Sequence, residues 1–307
     1  MSSPTLPPPT PSQRYVTISP LSGGSITLPD SFFVSPADLS ARRPVPSLSF
    51  LITHPSPLPL LQNSGPTHLL FDLGLRRHAT RYPPALQTHL KGREPHHLEP
   101  GIASQLQSQG FDPETVDAVI LSHVHYDHHG DPEDFPTATF ILGHGGKEAL
   151  AHGVGGGGSH QFFEKQLLVK HRVVELPDPG MDEEGGWKSL GSLPKVFDLF
   201  GDGSVYVVDL PGHLPGHVGL LCRVEKERWM CLAGDAFHDP RLLSGEKEIG
   251  TWSDAEGRTL CIHVDREAAG RSIEMLRGLR DLGVEIVAAH DGGWWEGLGE
   301  KKWPGSL

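Results

Sequence analysis

Cysteine is scarce in this chain. Three stand among 307 residues, Cys222, Cys231 and Cys261, and no two form a Cys-x-x-Cys pair. That excludes a disulfide framework and suits a reducing compartment. Cys222 and Cys231 lie in apolar runs and read as small buried hydrophobes. Positive charge is also short: 26 Lys and Arg face 38 Asp and Glu, a formal charge of −12. No basic cluster interleaved with aromatics offsets this, which argues against nucleic acid and anionic membrane as partners. No apolar run approaches the ~20 residues of a membrane span. The first residues, Met1 to Ser12, have neither the basic nor the apolar region of a secretory signal. They are rich in Pro, Ser and Thr, so a disordered tail over 1–14 of a cytoplasmic protein is expected. There is no Gly-x-Ser-x-Gly elbow and no Cys/His pair for covalent catalysis.

Histidine, in contrast, is abundant, with nineteen residues. One stretch concentrates them: His123-Val124-His125-Tyr126-Asp127-His128-His129-Gly130. It follows the apolar run Val116–Leu121, which reads as a buried strand. If the chain stays extended, His123 and His125 point to the same side. Two imidazoles on one side can share a metal ion. Asp127 and His128, beside the turn at Asp131-Pro132, can face a second ion. Imidazole and carboxylate are donors that zinc, iron and manganese accept. A solvated histidine-rich loop, such as His96-His97, is the bland alternative. Four potential ligands within six positions, straight after a strand, favour metal.

These residues resemble the His-x-His-x-Asp-His signature of the metallo-β-lactamase superfamily of binuclear metallohydrolases. Further matches follow in chain order. Pro211-Gly212-His213-Leu214-Pro215-Gly216-His217 resembles the segment that supplies a third histidine. Leu232-Ala233-Gly234-Asp235 resembles the strand that ends in a bridging aspartate, and Ala288-Ala289-His290-Asp291 the strand that ends in the last histidine. Phe71-Asp72-Leu73-Gly74 resembles the turn that supports the site. The likeness spans roughly Phe50 to Asp291. Within the superfamily it is greatest to the N-acyl-homoserine-lactonase branch, including fungal members with a Phe-Asp-Leu-Gly-Leu-Arg segment.

The resemblance implies an αββα sandwich, an α+β fold of two mixed sheets flanked by helices. It implies two divalent ions, Zn²⁺ first, with Mn²⁺, Co²⁺ or Fe²⁺ as options. His123, His125 and His213 would hold one ion and Asp127, His128 and His290 the other, with Asp235 bridging. It further implies a hydrolase that opens a lactone or related ester by attack of a metal-bridging hydroxide, a quorum-quenching type of activity. Asp127 would protonate the leaving alkoxide. Where the bacterial lactonases have a substrate-contacting tyrosine, this chain has His238, which either donates to the substrate or is exposed and idle. Asp72 would orient a ligand histidine. His217 reads as structural and His129 as solvated. The runner-up chemistry is thioester hydrolysis, as in the glyoxalase II and polyketide thioesterase branches. An iron-dependent redox enzyme is a third option. A small-molecule lactone or ester is the expected partner, and the oligomeric state, a homodimer included, is open.

Residues 15–307 are expected to form a single domain. Tyr15–Ile18 and Ser25–Leu28 read as strands joined by a hairpin turn at Ser22-Gly23-Gly24. Arg76–Pro100 reads as a long loop at the rim and Asp239–Arg258 as irregular. The segment at about 143–165 holds four consecutive glycines and three histidines, and reads as a flexible loop or a lid. Asp178–Gly191 reads as an acidic loop. Asp265 is expected to cap a helix with Ala269, Ile273, Leu276, Leu279 and Leu282 on its apolar face, stopped by Gly283. Trp294, Trp295 and Trp303 are expected to pack on the fold or a pocket wall.

Overall fold

The computed structural model describes residues 6–61, 63–155, 158–181 and 185–307. Residues 1–5 of the expected tail, Gly156 and Gly157 of the glycine run, and residues 182–184 of the acidic segment lie outside the described residues. The first half of the chain contains β1 (Thr17–Pro29), β2 (Val34–Ser35), β3 (Arg42–His54), β4 (Thr67–Phe71), α1 (Pro84–Lys91) and α2 (Ile102–Ser108). It continues with β5 (Ala118–Leu121), β6 (Thr139–Leu142), α3 (Gly146–His152) and β7 (Arg172–Glu175). The second half contains β8 (Trp187–Leu190), β9 (Leu193–Asp198), β10 (Val205–Asp209), β11 (Val218–Arg223), β12 (Trp229–Leu232) and α4 (Pro240–Ser244). It ends with β13 (Glu248–Ile249), β14 (Thr251–Ser253), β15 (Thr259–Cys261), α5 (Arg266–Asp281), β16 (Glu285–Val287) and α6 (Gly292–Gly297).

Two six-stranded mixed sheets result, ordered β1-β3-β4-β5-β6-β7 and β16-β12-β11-β10-β9-β8. Strands β4 to β7 run parallel, and parallel neighbours need crossovers; α2 and α3 lie in two of them. All four residues of β5 are buried, because an interior parallel strand is covered on both faces. Side-chain alternation divides the core. Phe50, Leu69, Phe71 and Ile120 from the first sheet meet Val205, Leu220, Met230 and Leu232 from the second, between the sheets. On the outside of the first sheet, Leu70, Val119 and Leu121 pack with Ile102 and Leu106 of α2. On the outside of the second, Val208, Leu221 and Cys231 pack with Ile273, Leu276 and Leu279 of α5. The expected αββα sandwich is therefore the fold. No helix among the described residues is long and apolar enough to cross a membrane.

Several local expectations are corrected. The two N-terminal strands are one strand, β1, whose register against β3 shifts between Ser22 and Ser25. Gly23-Gly24 forms a bulge rather than a turn. A Cβ on Gly23 would sit 2.5 Å from the Cα of Gly74, so the bulge exists to let β1 approach the turn after β4. Arg76–Pro100 contains α1, which begins at Pro84, where a missing N–H costs nothing, and buries Leu86 and Leu90. Asp239–Arg258 holds α4, capped by Asp239, and strands β13 and β14. Trp187–Leu190, read as part of the acidic loop, is strand β8. The segment at 143–165 contains α3 and a short 3₁₀ turn at Gly158–Gln161. Helix α5 is capped by Asp265, whose carboxylate accepts from the Ala268 N–H at 2.9 Å. Leu282 lies just past its end and is 36% exposed, so it does not join the apolar face. The tryptophans tie down the C-terminal segment: Trp303 Nε1 donates to Gln105 O, and Trp294 Nε1 to Glu285.

Two glycine and cap sites give contrasting stability predictions, read from urea-unfolding midpoints. Gly74 has φ +67° and no room for a Cβ against Gly23, so Gly74→Ala is expected to destabilise by about 3 kcal/mol or more. Asp265→Ala removes one cap bond and is expected to cost about 1 kcal/mol.

Candidate metal centre

The site begins at Asp72, just past β4. It is the one non-glycine with positive φ among the described residues, at +59°. A short polar side chain tolerates that conformation, and here it lets the carboxylate turn back onto the end of β5. Asp72 Oδ1 accepts from Ser122 N at 2.6 Å, and Oδ2 accepts from Ser122 Oγ at 2.7 Å. His128 Nδ1 donates to the same Oδ2 at 2.9 Å. Because Ser122 Oγ spends its proton on Asp72, it accepts from His123 Nδ1, 3.0 Å away. His290 Nδ1 donates to Pro46 O at 2.6 Å. These contacts occupy the Nδ1 hydrogens, so Nε2 of His123, His128 and His290 is the nitrogen turned to the site.

These nitrogens converge. His123 Nε2 lies 2.9 Å from His125 Nδ1 and 3.2 Å from His213 Nε2, and His213 Nε2 lies 3.1 Å from His125 Nδ1. Nitrogens around a tetrahedral ion at ~2.0–2.1 Å would stand about 3.3 Å apart, close to this spacing. Asp235 lies between two such groups. Its Oδ2 is 3.3 Å from His213 Nε2 and 3.9 Å from His123 Nε2. Its Oδ1 is 3.3 Å from His128 Nε2 and 3.4 Å from His290 Nε2. Asp127 completes the second group, with Oδ2 3.7 Å from His290 Nε2 and Oδ1 4.0 Å from His128 Nε2. Each triad could hold a metal ion, and every member is buried.

The electrostatics support that fit. Burial and mutual repulsion hold His123, His125 and His213 well below the usual histidine range, so all three are neutral donors. Burial also opposes charge on His128 and His290, yet Asp235 together with Asp72 raises the first and Asp235 together with Asp127 the second. Those protons compensate a buried carboxylate, which is the task a cation would take over. His128 Nε2 and Asp235 Oδ1 face each other at 3.3 Å without the alignment of a hydrogen bond. Leaving buried polar atoms orphaned costs ~1–3 kcal/mol each, and a cation in each triad removes that cost.

All seven residues expected as ligands are thus brought together. Strand ends deliver them: β5 leads to His123, β10 to His213, β12 to Asp235 and β16 to His290. His217 stands behind them; its Nδ1 donates to Leu210 O and its Nε2 accepts from Asp235 N, both at 2.9 Å. Two readings are corrected. His129 is 1% exposed rather than solvated, with Nε2 3.3 Å from Glu164 Oε1. His238 is buried rather than exposed, and its Nε2 donates to Asp235 Oδ2 at 2.9 Å.

Two histidines were missed. His160 is buried with Nδ1 3.2 Å from His125 Nε2, the nitrogen of His125 that faces away from the triad. His263 is 2% exposed, its ring centroid 5.2 Å from those of His213 and His238. No local pattern flags either one. His160 stands beside the glycine run, and the feature that brings it in is remote: Arg76 forms a two-pronged pair with Glu164, at 3.0 and 2.9 Å. Arg76 also reaches Asp131 at 3.2 Å, so the segment is tied to the histidine loop.

A cleft opens onto these residues, lined by His125, Asp127, His213, Asp235, His238 and His290 on one side and by apolar groups from β1 and the β14–β15 hairpin on the other.

Comparison with known proteins agrees with this geometry. The family profile of the metallo-beta-lactamase superfamily matches residues 60–289. The chain is 28% identical over 303 residues to cytochrome P450 monooxygenase mpaDE' of Penicillium brevicompactum, covering 92% of this chain and 34% of that protein. It thus spans about a third of the length of that curated relative. It is 30% identical over 211 residues to N-acyl homoserine lactonase AttM of Azorhizobium caulinodans, covering 67% and 68% of the two chains. A solved N-acyl homoserine lactone hydrolase, with the product N-hexanoyl-L-homoserine at its catalytic metal centre, superposes with TM-score 0.66. The identity is 18%, over 95% of this chain and 98% of the other.

The Asp72–Ser122–His123 relay makes its own prediction. Ser122→Ala removes the hydroxyl that fixes the His123 tautomer, and retention of a bound divalent ion is expected to weaken by roughly 10–100-fold. Competition with a chromophoric chelator measures it; unchanged retention would show that the relay does not tune the site.

Proposed function

The chain belongs to the metallo-beta-lactamase superfamily, and on that premise we propose that it is a binuclear metal-dependent hydrolase of lactones or related esters. One observation carries the reading: Asp235 turns one carboxylate oxygen toward His123 and His213 and the other toward His128 and His290. A single carboxylate so placed fits two cations. In this reading His123, His125 and His213 hold one, and Asp127, His128 and His290 the other. The nitrogen and oxygen donor set, with no thiolate, suits zinc first and manganese, cobalt or iron as alternatives.

Two divalent ions so held would supply an activated water near neutral pH and a Lewis acid for the substrate carbonyl. The rest falls to the chain. Asp72 keeps the donor rings of His123 and His128 in place. His217 holds the backbone of Asp235. Asp127 lines the cleft and is the carboxylate placed to pass a proton to the leaving alkoxide. His238 lines the cleft and spends its Nε2–H on Asp235, so it steadies that carboxylate from the cleft wall. No side chain needs to act as a covalent nucleophile. The apolar wall opposite gives the non-reacting part of the substrate its place, and AttM, named as a lactonase, supports the ester class. Homoserine lactone opening, the quorum-quenching form of the reaction, is one member of that class.

The test is metal content and turnover on one sample, with a small panel of lactones. Wild type is expected to carry about two equivalents of divalent metal. His123→Ala with His125→Ala is expected to lose metal and at least about 10³-fold in kcat/KM. His238→Tyr is expected to keep the metal and alter the ranking of the lactones. Turnover by a metal-free double variant would overturn the reading.

A further inference from the structure

Among the described residues the cleft contains one permanent cation, unused by the chemistry above. Arg93 lines it together with Ile26, Leu28, Phe32, Trp252 and Ile262. Its position is fixed at the backbone, where its carbonyl accepts from Thr27 N at 2.9 Å between Ile26 and Leu28 of β1. Its guanidinium stands 5.7 Å from the Phe32 ring centroid, within reach of a cation–π contact. Phe32 in turn stacks on Trp252, with centroids 4.1 Å apart and planes at 25°.

What Arg93 lacks is a carboxylate; its guanidinium meets the neutral Tyr126 hydroxyl instead. Among the described residues no carboxylate approaches within the 4.0 Å ion-pair distance, although the protein carries twelve more acidic than basic side chains. Its Nε is fully shielded from solvent and has no hydrogen-bond partner. The other arginines near the site are ion-paired: Arg76 with Glu164, Glu133 and Asp131, and Arg43 with Asp30 and Asp239. A half-buried guanidinium carries five donors in a fork that matches a carboxylate.

We infer that Arg93 recognises an anion, and that the substrate is an aromatic ester or lactone bearing a carboxylate away from the bond that is cut. The inference deepens the hydrolase reading and rests on it for the reaction, though not for the binding. The aromatic part follows from the wall, since a flat ring laid against Phe32 and Trp252 gains offset stacking. The acidic part follows from the guanidinium at the edge of that wall, whose charge no carboxylate of the described residues meets. The carboxylate is thereby held apart from Asp127 and Asp235, whose charges would repel it without bound cations.

The experiment compares 4-acetoxybenzoate with its methyl ester, which differ only in the charge at the far end of the ring. Both are hydrolysed at the acetyl ester, water adding to the carbonyl and the phenol leaving. The metal-loaded wild type is expected to prefer the acid by about 10-fold or more in kcat/KM. Arg93→Gln is expected to erase that preference, raising KM for the acid by about 10–100-fold while kcat stays within about twofold. Its kcat/KM for the methyl ester should hold, which reports an intact fold. Arg93→Lys is expected to restore part of the preference, since it returns the charge without the fork. A wild type that does not prefer the acid, or an Arg93→Gln enzyme that keeps the preference, overturns the inference. If neither ester is cut, calorimetry with 4-acetoxybenzoate decides separately. Binding lost in Arg93→Gln sustains the anion site and no wild-type binding overturns it, while the hydrolase reading is judged separately by the lactone panel.

Discussion

The structure depends on one electrostatic demand: a buried carboxylate, Asp235, surrounded by imidazole lone pairs. Contacts with Asp72, Ser122 and the Pro46 carbonyl turn the Nε2 atoms of His123, His128 and His290 toward it. Neutral lone pairs and carboxylates gathered out of water repel one another, and an unpaired buried charge is expensive. Cations would resolve the conflict. Asp235, with Asp72 and Asp127, raises His128 and His290 against the penalty of burial.

The fold supplies rigidity for that arrangement. The donors sit beyond strand ends from both sheets, so the sandwich core sets their spacing while the loops carry the chemistry. The turn at Asp72–Gly74 is the meeting point. It takes a carboxylate in a left-handed conformation, docks through Leu73 N on His128 O, and lies against the bulge of β1. A second clamp, Arg76 between Glu164 and Asp131, ties the segment bearing His160 to the histidine loop. The supporting shell is therefore as elaborate as the donor set.

Much of this was legible in the sequence, and for a physical reason. The donors occur in short runs at strand ends, so spacing alone groups them, and α5 shows its period, its Asp265 cap and its Gly283 stop. What could not be read depends on contacts across the chain. Ser22-Gly23-Gly24 has the composition of a hairpin turn, and only the approach of Gly74 shows it to be a bulge. Pro84 reads as a breaker until the helix it opens is seen. His129 looks solvated until Glu164 meets it from 35 residues away, and the same remote pairing brings in His160. Arg93, in a polar stretch, carries no signal at all until the cleft forms around it.

The most direct measurement is anomalous diffraction from crystals of the protein grown with zinc. The account predicts two peaks about 3.5–4 Å apart, one among His123, His125 and His213 and one among Asp127, His128 and His290, with Asp235 touching both. A single peak, or two that Asp235 does not join, would contradict it.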